Sequence, residues 1–169
     1  MRAFAKTDVG RARNMNQDSY AVLEDIGLYI LADGMGGYNG GEIASSLAVE
    51  AVKNYIKTNI SSIQLDKDSI LKLVKESMEY ANKVVYEKSR QDKELEEMGT
   101  TLEVCLCMQN KVFIGHIGDS RVYRIRKNFI RRLTTDHSYV EKLVKDGTIT
   151  REESYTHPKK NMLTKALRV

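Results

Sequence analysis

The sequence has little of what several protein classes require: it has two cysteines, three histidines and no long apolar run. Cys105 and Cys107 lie two residues apart in a strand-like run, and no second cysteine or histidine pair has zinc-site spacing, so we expect free thiols. The histidines are too scattered to propose as ligands, and we expect structural roles for them. The apolar runs are too short to cross a bilayer, and the N-terminus lacks the apolar region of a secretory signal, so we expect a cytoplasmic protein with no membrane partner.

Several motifs of nucleotide-binding proteins and hydrolases are also missing. No lysine follows the glycines of residues 34–41 in the P-loop pattern, the GxGxxG dinucleotide pattern is absent there, and no serine lies in a Gly-x-Ser-x-Gly setting. The net charge of +4 is modest, and the basic residues are scattered among acids except in two short groups at 124–127 and 131–132. We interpret both groups as exposed strand positions around a turn, and we expect no nucleic-acid partner.

What is present indicates one α+β domain. A chain of 169 residues that is 41% hydrophobic and 30% charged suits a single globular domain with a substantial core. Apolar side chains recur at helical spacing over residues 42–59 and 66–90, and shorter helical patterns follow at 138–145 and from 150. Residues 162–169 suit a helix or a strand. Runs rich in branched and aromatic residues predict strands at 2–7, 19–23, 28–32, 100–108, 111–117, 121–126 and 129–133. The last four of these runs are joined by short connections and predict an antiparallel meander.

The stretch LYILADGMGGYNGGE, from Leu28 to Glu42, combines a buried-strand pattern with an acid and a glycine cluster. Asp33 is predicted to lie where the strand meets a loop, a common place for a functional side chain. Gly34 has no Cβ, so its carbonyl can approach a ligand closely, and a carboxylate beside a free carbonyl suits Mg²⁺ or Mn²⁺. The alternative is a plain strand, turn and helix start, since Asp-Gly is a frequent turn dipeptide.

Other charged residues accompany strand ends in the same way. Arg13 and Asp18 lie just before a strand that is able to pair with the one ending at Asp33, and Asp119 follows Gly118 at the end of another strand. Three acids with one arginine are the components of a phosphate site that uses Mg²⁺ or Mn²⁺. Two such cations lower the pKa of a water molecule held between them, and an arginine neutralises phosphoryl oxygens.

Several segments together resemble the bacterial metal-dependent protein phosphatases, the protein phosphatase 2C-like or PPM family. They are TDVGRARNMNQDSY, LYILADGMGG, MGTTLEVCL, GHIGDSRVYRIR and LTTDHSYVEKLVKDGTITREESYTHPKKNMLTKAL, in order through nearly the whole chain. The resemblance implies a central antiparallel β-sandwich flanked by helices, a four-layer αββα arrangement. It also implies a serine/threonine phosphatase in which water activated by two, possibly three, Mn²⁺ or Mg²⁺ ions hydrolyses the phosphomonoester.

The resemblance also implies roles for individual residues. Asp33 bridges two metals and the carbonyl of Gly34 completes one coordination shell, while Asp18 acts on a metal through a bound water. Arg13 binds the substrate phosphate, so Arg13 and Asp33 are the expected catalytic residues. Asp119 is the expected ligand of a third, weaker metal. Residues from about 136 to 157 are expected to form a mobile flap that contributes to substrate choice.

The family pattern continues with an Asp-Gly-Leu-Thr-Asp-like motif and a later Asp-Asn pair that supply two further metal-binding aspartates, and neither is present in these 169 residues. We therefore expect residues 1–169 to be a single phosphatase-like domain without its C-terminal portion, with weak metal binding and impaired turnover. An exposed sheet edge is then expected to allow self-association.

The expected partners are proteins that carry phosphoserine or phosphothreonine, including a bacterial serine/threonine kinase. The alternative function is a non-catalytic phosphoprotein-binding or regulatory module with an incomplete metal site.

Overall fold

The structure is a computed structural model that describes residues 2–11 and 13–168, except for the side chains of residues 37–39. The two long helices are α1 (Gly37–Asn59) and α2 (Lys67–Gln91), and a short 3₁₀ turn follows at Lys93–Leu95. The remaining elements, in chain order, are β1 (Asp18–Leu23), β2 (Leu28–Met35), β3 (Gly99–Thr100), β4 (Leu102–Met108), β5 (Lys111–Ile117), β6 (Tyr123–Arg126), β7 (Phe129–Arg132), α3 (Tyr139–Lys145) and α4 (Arg151–Thr156).

The strands form two antiparallel sheets. The larger sheet has the order β1-β2-β4-β5, and the short β3 pairs with the end of β2. The smaller sheet is the β6–β7 hairpin. Two register pairs matter below: Asp18 lies opposite Asp33 on β1 and β2, and Glu103 lies opposite His116 on β4 and β5. The expected α+β class with antiparallel sheets and flanking helices is confirmed.

Helices α1 and α2 pack on one face of the larger sheet. Alternate residues of β2, Leu28, Ile30 and Ala32, are buried in a common core with the apolar stripes of both helices. Helix α2 begins at a capped end, since the Asp66 carboxylate accepts from the backbone N–H groups of Asp68 and Ser69 at 2.9 Å. No helix in the described part of the chain is long and apolar enough to span a membrane.

The opposite face of the larger sheet is more open. Tyr20, Leu31 and Val112 on this face are 44%, 45% and 55% exposed. Residues 3–6 and 121–123 border a cavity of about 430 Å³ over it. The predicted site residues Asp18 and Asp33 lie at one end of the same face, because they continue the alternation of Tyr20 and Leu31.

Three local predictions need correction. Residues 2–7 form no strand, and Phe4 is 94% exposed, because this segment lacks a hydrogen-bonded neighbour strand among the described residues. Helix α1 begins at Gly37 rather than Glu42, so part of the predicted glycine loop is helical. The described residues after 161 form isolated bridges, Ser138 with Leu163 and Thr100 with Leu167, rather than a helix or a full strand.

Candidate active site

The backbone of Asp33, in strand β2, is hydrogen-bonded to Thr100 and Thr101. Its N–H donates to Thr101 Oγ1 at 2.9 Å, and its carbonyl accepts from Thr101 N at 2.9 Å and from Thr100 Oγ1 at 3.0 Å. The strand continues to Met35, so Asp33 lies inside the strand and not at the strand–loop boundary that the sequence suggested. Its side chain still reaches the open face, because the neighbouring Ala32 is fully buried on the other face.

Gly34 lies where the start of α1 meets β2. A Cβ at this position would lie 2.0 Å from the carbonyl oxygen of Gly41 and 2.7 Å from that of Gln17. The Gly34 N–H also donates to the Gln17 carbonyl at 3.0 Å. Close packing against α1 therefore requires glycine here, a reason that the sequence analysis did not identify. The role of the Gly34 carbonyl as a metal ligand stays a prediction.

Asp18 and Asp33 interact directly across the β1–β2 pair. They are opposite each other in the register of the two strands, and Thr7 Oγ1 donates to Asp18 Oδ2 at 3.1 Å. Asp33 is exposed at the surface, but the surrounding protein removes part of its hydration. This desolvation raises the pKa of Asp33 above its usual value, and the charges of Asp18 and Asp119 raise it further, while Arg13 acts in the opposite direction. The four predicted charged residues are thus close enough to influence one carboxyl.

Four of the five predicted site residues line one cavity of about 490 Å³: Arg13, Asp33, Gly34 and Asp119. Asp18 is not among its lining residues and reaches the site only through Asp33. The other lining residues were not predicted as site residues, and they are Met35, Thr101, Asn161, Leu163, Lys165 and Ala166.

Asn161 and Lys165 reach the site because the bridges of Leu163 and Leu167 bring the end of the described chain beside Ser138 and Thr100. The segment KKNMLTKAL belongs to the matched family pattern, and that match was the available signal for them.

The loop that carries Asp119 has a specific backbone conformation. Gly118 has φ of +114°, and a Cβ there would lie 2.5 Å from Thr101 Cγ2, so glycine is required on both conformational and steric grounds. The Gly118 N–H donates to Nδ1 of His137 at 3.2 Å, and its carbonyl accepts from the His137 N–H at 2.7 Å. The position of Asp119 thus depends on the segment that begins near residue 136.

A second cavity, of about 680 Å³, adjoins the first through shared residues Asp119 and Asn161. Its walls include two ion pairs of the predicted flap region: Arg121 Nη2 donates to Asp136 Oδ2 at 2.6 Å, and Arg151 Nη1 donates to Glu141 Oε2 at 2.5 Å. The Glu141 side chain is only 5% exposed. The hydrogen bonds from Arg151 lower the pKa of Glu141 despite the effect of its burial.

The chemical type of the donor atoms in the site, carboxylate oxygens, suits a hard divalent cation. Asp33 and Asp119 line one cavity, and desolvation together with the charges of Asp18 and Asp119 raises the pKa of Asp33. A bound cation would offset both effects. Among the residues that the structure describes, however, no three acidic, histidine or cysteine side chains are grouped closely enough to enclose a metal. The described residues therefore provide ligands on one side of a bound metal and do not enclose it.

Comparison with known proteins identifies the family of this chain. The family model of protein phosphatase 2C matches residues 10–164. The serine/threonine phosphatase Stp of Listeria monocytogenes is 36% identical over 172 aligned positions, which cover 100% of this chain and 68% of that protein. The protein phosphatase PhpP of Streptococcus pneumoniae is 38% identical over 165 positions, 95% of this chain and 65% of that protein.

Solved structures give the same result. The serine/threonine phosphatase PstP/Ppp of Mycobacterium tuberculosis superposes with a TM-score of 0.85 at 33% identity, over 96% of this chain and 66% of that one. The catalytic domain of PstP in complex with two manganese ions superposes with a TM-score of 0.81 at 31% identity, over 96% of this chain and 65% of that one. The chain spans about two thirds of the length of these relatives.

Proposed function

The chain belongs to the protein phosphatase 2C family, and we propose on that premise that it forms the metal- and phosphate-binding face of a metal-dependent serine/threonine protein phosphatase. The observation that carries this proposal is the convergence of Arg13, Asp33 and Asp119 on one cavity, with Asp18 opposite Asp33 in the β1–β2 register. A structural β-protein would have no need for three acids near one point, where the charges of Asp18 and Asp119 add to the effect of desolvation in raising the pKa of Asp33.

We assign each residue a role that its position allows. Arg13 donates hydrogen bonds to the phosphoryl oxygens and holds the ester over the carboxylates. Asp33, with the carbonyl of Gly34, and Asp119 would hold Mn²⁺ or Mg²⁺. When bound, these ions supply the Lewis acid for hydrolysis of the phosphomonoester. Asp18 orients Asp33 and is itself held by Thr7. We assign no residue as the general acid.

The donor count supports a further proposal about activity. Two divalent cations need more carboxylates than Asp33 and Asp119 provide, and the described residues contain no group of three that encloses a metal. We therefore expect a protein limited to these 169 residues to bind Mn²⁺ weakly and to hydrolyse phosphomonoesters slowly. Isothermal titration with Mn²⁺ and a p-nitrophenyl phosphate assay test this, and micromolar affinity with fast turnover would contradict it.

The central test is Asp33→Asn, which removes the charge and keeps the size. The expected result is a loss of Mn²⁺ binding of about tenfold or more, because one carboxylate–cation contact is lost. The matched control is Asp25→Asn, in the turn at the opposite end of the β1–β2 pair, and it should leave Mn²⁺ binding unchanged. Equal Mn²⁺ affinity in the Asp33→Asn variant and the unaltered protein would refute the metal site.

The alternative function is a non-catalytic module that binds phosphoproteins, and the incomplete donor group favours it. In this case Arg13 would still bind a phosphoserine peptide while no hydrolysis followed. Binding of such a peptide, lost in Arg13→Ala and unaffected by Mn²⁺, with no release of phosphate at saturating metal, would select the alternative over the enzyme.

The partners follow from the same proposal. We propose phosphoserine and phosphothreonine proteins as substrates, with a bacterial serine/threonine kinase among them, and a cytoplasmic location stays a prediction. Strands β1 and β5 are at the two edges of the larger sheet, which supports the proposal of self-association through an edge. Sedimentation over a range of concentrations tests it, and a monomer at every concentration would contradict it.

A further inference from the structure

Two histidines stack beside the loop that carries Asp119. The rings of His116, on β5, and His137, just before α3, have centroids 4.7 Å apart and planes at 20°. The sequence separates them and gives no sign of contact. Nothing in the proposed hydrolysis uses either ring, so their arrangement needs a separate explanation.

His116 lies between two hydrogen-bond acceptors. Its Nδ1 is 2.5 Å from Oε1 of Glu103, the residue opposite it in the register, and its Nε2 is 2.8 Å from the carbonyl oxygen of Thr135. A neutral imidazole has only one N–H, so both contacts are satisfied when the Glu103–His116 pair holds one additional proton. Burial by itself lowers the pKa of His116, but the hydrogen bonds to Glu103 and Thr135 raise it above its usual value.

His137 has the opposite hydrogen-bonding role. Its Nδ1 accepts from the Gly118 N–H at 3.2 Å, and a ring nitrogen accepts only when it carries no proton. The ring is therefore neutral, with its proton on Nε2. Burial and the charge of the adjacent His116 both lower the pKa of His137, which agrees with this assignment.

The same residue also holds Gly118 from the other side. The His137 N–H donates to the Gly118 carbonyl at 2.7 Å, and the His137 carbonyl accepts from the Thr164 N–H at 2.8 Å. Gly118 is thus bound through both its N–H and its carbonyl while it holds φ of +114°. Asp119 follows directly, and its direction into the cavity is set by this glycine.

We propose that His137 is a positioning residue, which directs the Asp119 carboxylate toward Asp33 by accepting the Gly118 N–H, with the stacked Glu103–His116 pair keeping its ring in place. The proposal rests on the proposed function in so far as Asp119 is a metal ligand. It also connects the metal site to the segment of residues 136–157, since a displacement of His137 releases both backbone contacts of Gly118.

The test compares two substitutions of His137 in the full chain. His137→Phe keeps an aromatic ring for the stack and removes the acceptor, whereas His137→Asn loses the ring and keeps an acceptor oxygen near the position of Nδ1. Amide hydrogen exchange should be about tenfold faster for Gly118 in the Phe variant, and within about twofold of the parent in the Asn variant, as expected for one lost hydrogen bond. If His137→Phe does not fold, His137→Leu replaces it with the same expectation.

Line broadening by Mn²⁺ gives a second readout. Half-maximal broadening of the Asp119 amide resonance should require about fivefold more Mn²⁺ in the Phe variant, while the Asp33 resonance changes little and the unfolding midpoints of both variants are alike. If His137 had a purely structural role, the Mn²⁺ concentration for half-maximal broadening would instead change in parallel with the unfolding midpoint. Unchanged Gly118 exchange in the Phe variant, or failure of Asn to restore it, would overturn the proposal.

Failure of the proposed function has a different signature. In that case Mn²⁺ would broaden neither Asp33 nor Asp119 in the unaltered protein. The exchange of the Gly118 amide would still decide whether His137 positions the loop, because that measurement needs no metal.

Discussion

Two regions of the molecule, the apolar half and the ion-paired half, are stabilised by different interactions. The larger sheet and helices α1 and α2 share a core of fully buried apolar side chains such as Leu28, Ile56 and Leu102. The region from residue 119 onward has exposed apolar side chains, with Ile125 at 73% and Phe129 at 79%, and it is joined by arginine–carboxylate pairs. Apolar burial depends little on pH, whereas ion pairs depend on pH and salt. The candidate site lies between the two halves, with Asp33 on the first and Asp119 on the second.

The largest expected effect is in the apolar half. Leu28→Ala removes a fully buried side chain from the core and should lower the free energy of unfolding by about 2–5 kcal/mol. Ile125→Ala in the other half removes a side chain that is 73% exposed and should change it by less than about 0.5 kcal/mol. Urea unfolding measures the free energy of unfolding of both variants. Equal losses would show that the two halves do not differ in their dependence on apolar burial.

The next effect is in the ion-paired half. Arg151→Met leaves the buried Glu141 without its main partner, and we expect a loss of about 1–2 kcal/mol, reduced from that of a fully buried pair because Arg151 is partly solvated. Lys75→Met removes one partner of an exposed pair with Glu79 and is the matched control, expected to be near zero. Amide hydrogen exchange should show reduced protection in α3 and α4. Reduced protection over the larger sheet as well would contradict this prediction.

The dependence on pH sharpens the same comparison. The pKa of Glu141 is lower in the folded protein than in the unfolded chain, so its contribution is present above the unfolded value and is lost as the pH falls through the folded value. The stability difference between the unaltered protein and Glu141→Gln should therefore shrink as the pH falls from 7 to below the usual pKa of a glutamate. A difference that stays constant over this range would show that the ion pair contributes nothing.

The smallest expected effect has the opposite sign. The pKa of Asp33 is higher in the folded protein than in the unfolded chain. Its contribution to stability is therefore fully present at a pH below the unfolded pKa, and it is lost as the pH rises through the folded pKa. Without metal at pH 7, Asp33→Asn should stabilise the protein, by less than about 1 kcal/mol because the side chain is exposed. Added Mn²⁺ should raise the melting temperature of the unaltered protein only, and a rise in both proteins would place the ion elsewhere.

Much of the fold was predictable because its signals are local. The helical stripes of α1 and α2 and the tight turns between β4 and β5 and between β6 and β7 follow from residue spacing and from turn residues with positive φ, such as Asn110 and Lys127. The boundaries were less accurate. Helix α1 extends over glycines that the sequence suggested as a loop, because Gly34 and Gly41 allow close packing of the helix on β2.

The candidate site was predictable in part for a related reason. Asp33 and Asp119 each lie beside a glycine near a strand end, a pattern that is visible in one dimension. The contribution of Asn161 and Lys165 to the cavity and the contact of His137 with Gly118 depend on isolated bridges and loop hydrogen bonds, which leave no periodic pattern.

The sequence by itself determined the family, the alternation that directs Asp18 and Asp33 to one face, and the identity of the acids and the arginine. Only the tertiary structure decided that Arg13, Asp33 and Asp119 share a cavity, that the charges of Asp18 and Asp119 raise the pKa of Asp33, and that Gly118 is held by a histidine nineteen positions further along the chain. The physical reason is range: side-chain alternation acts between neighbours in the chain, whereas electrostatic coupling and loop hydrogen bonds depend on distances that the chain sets only after it has folded.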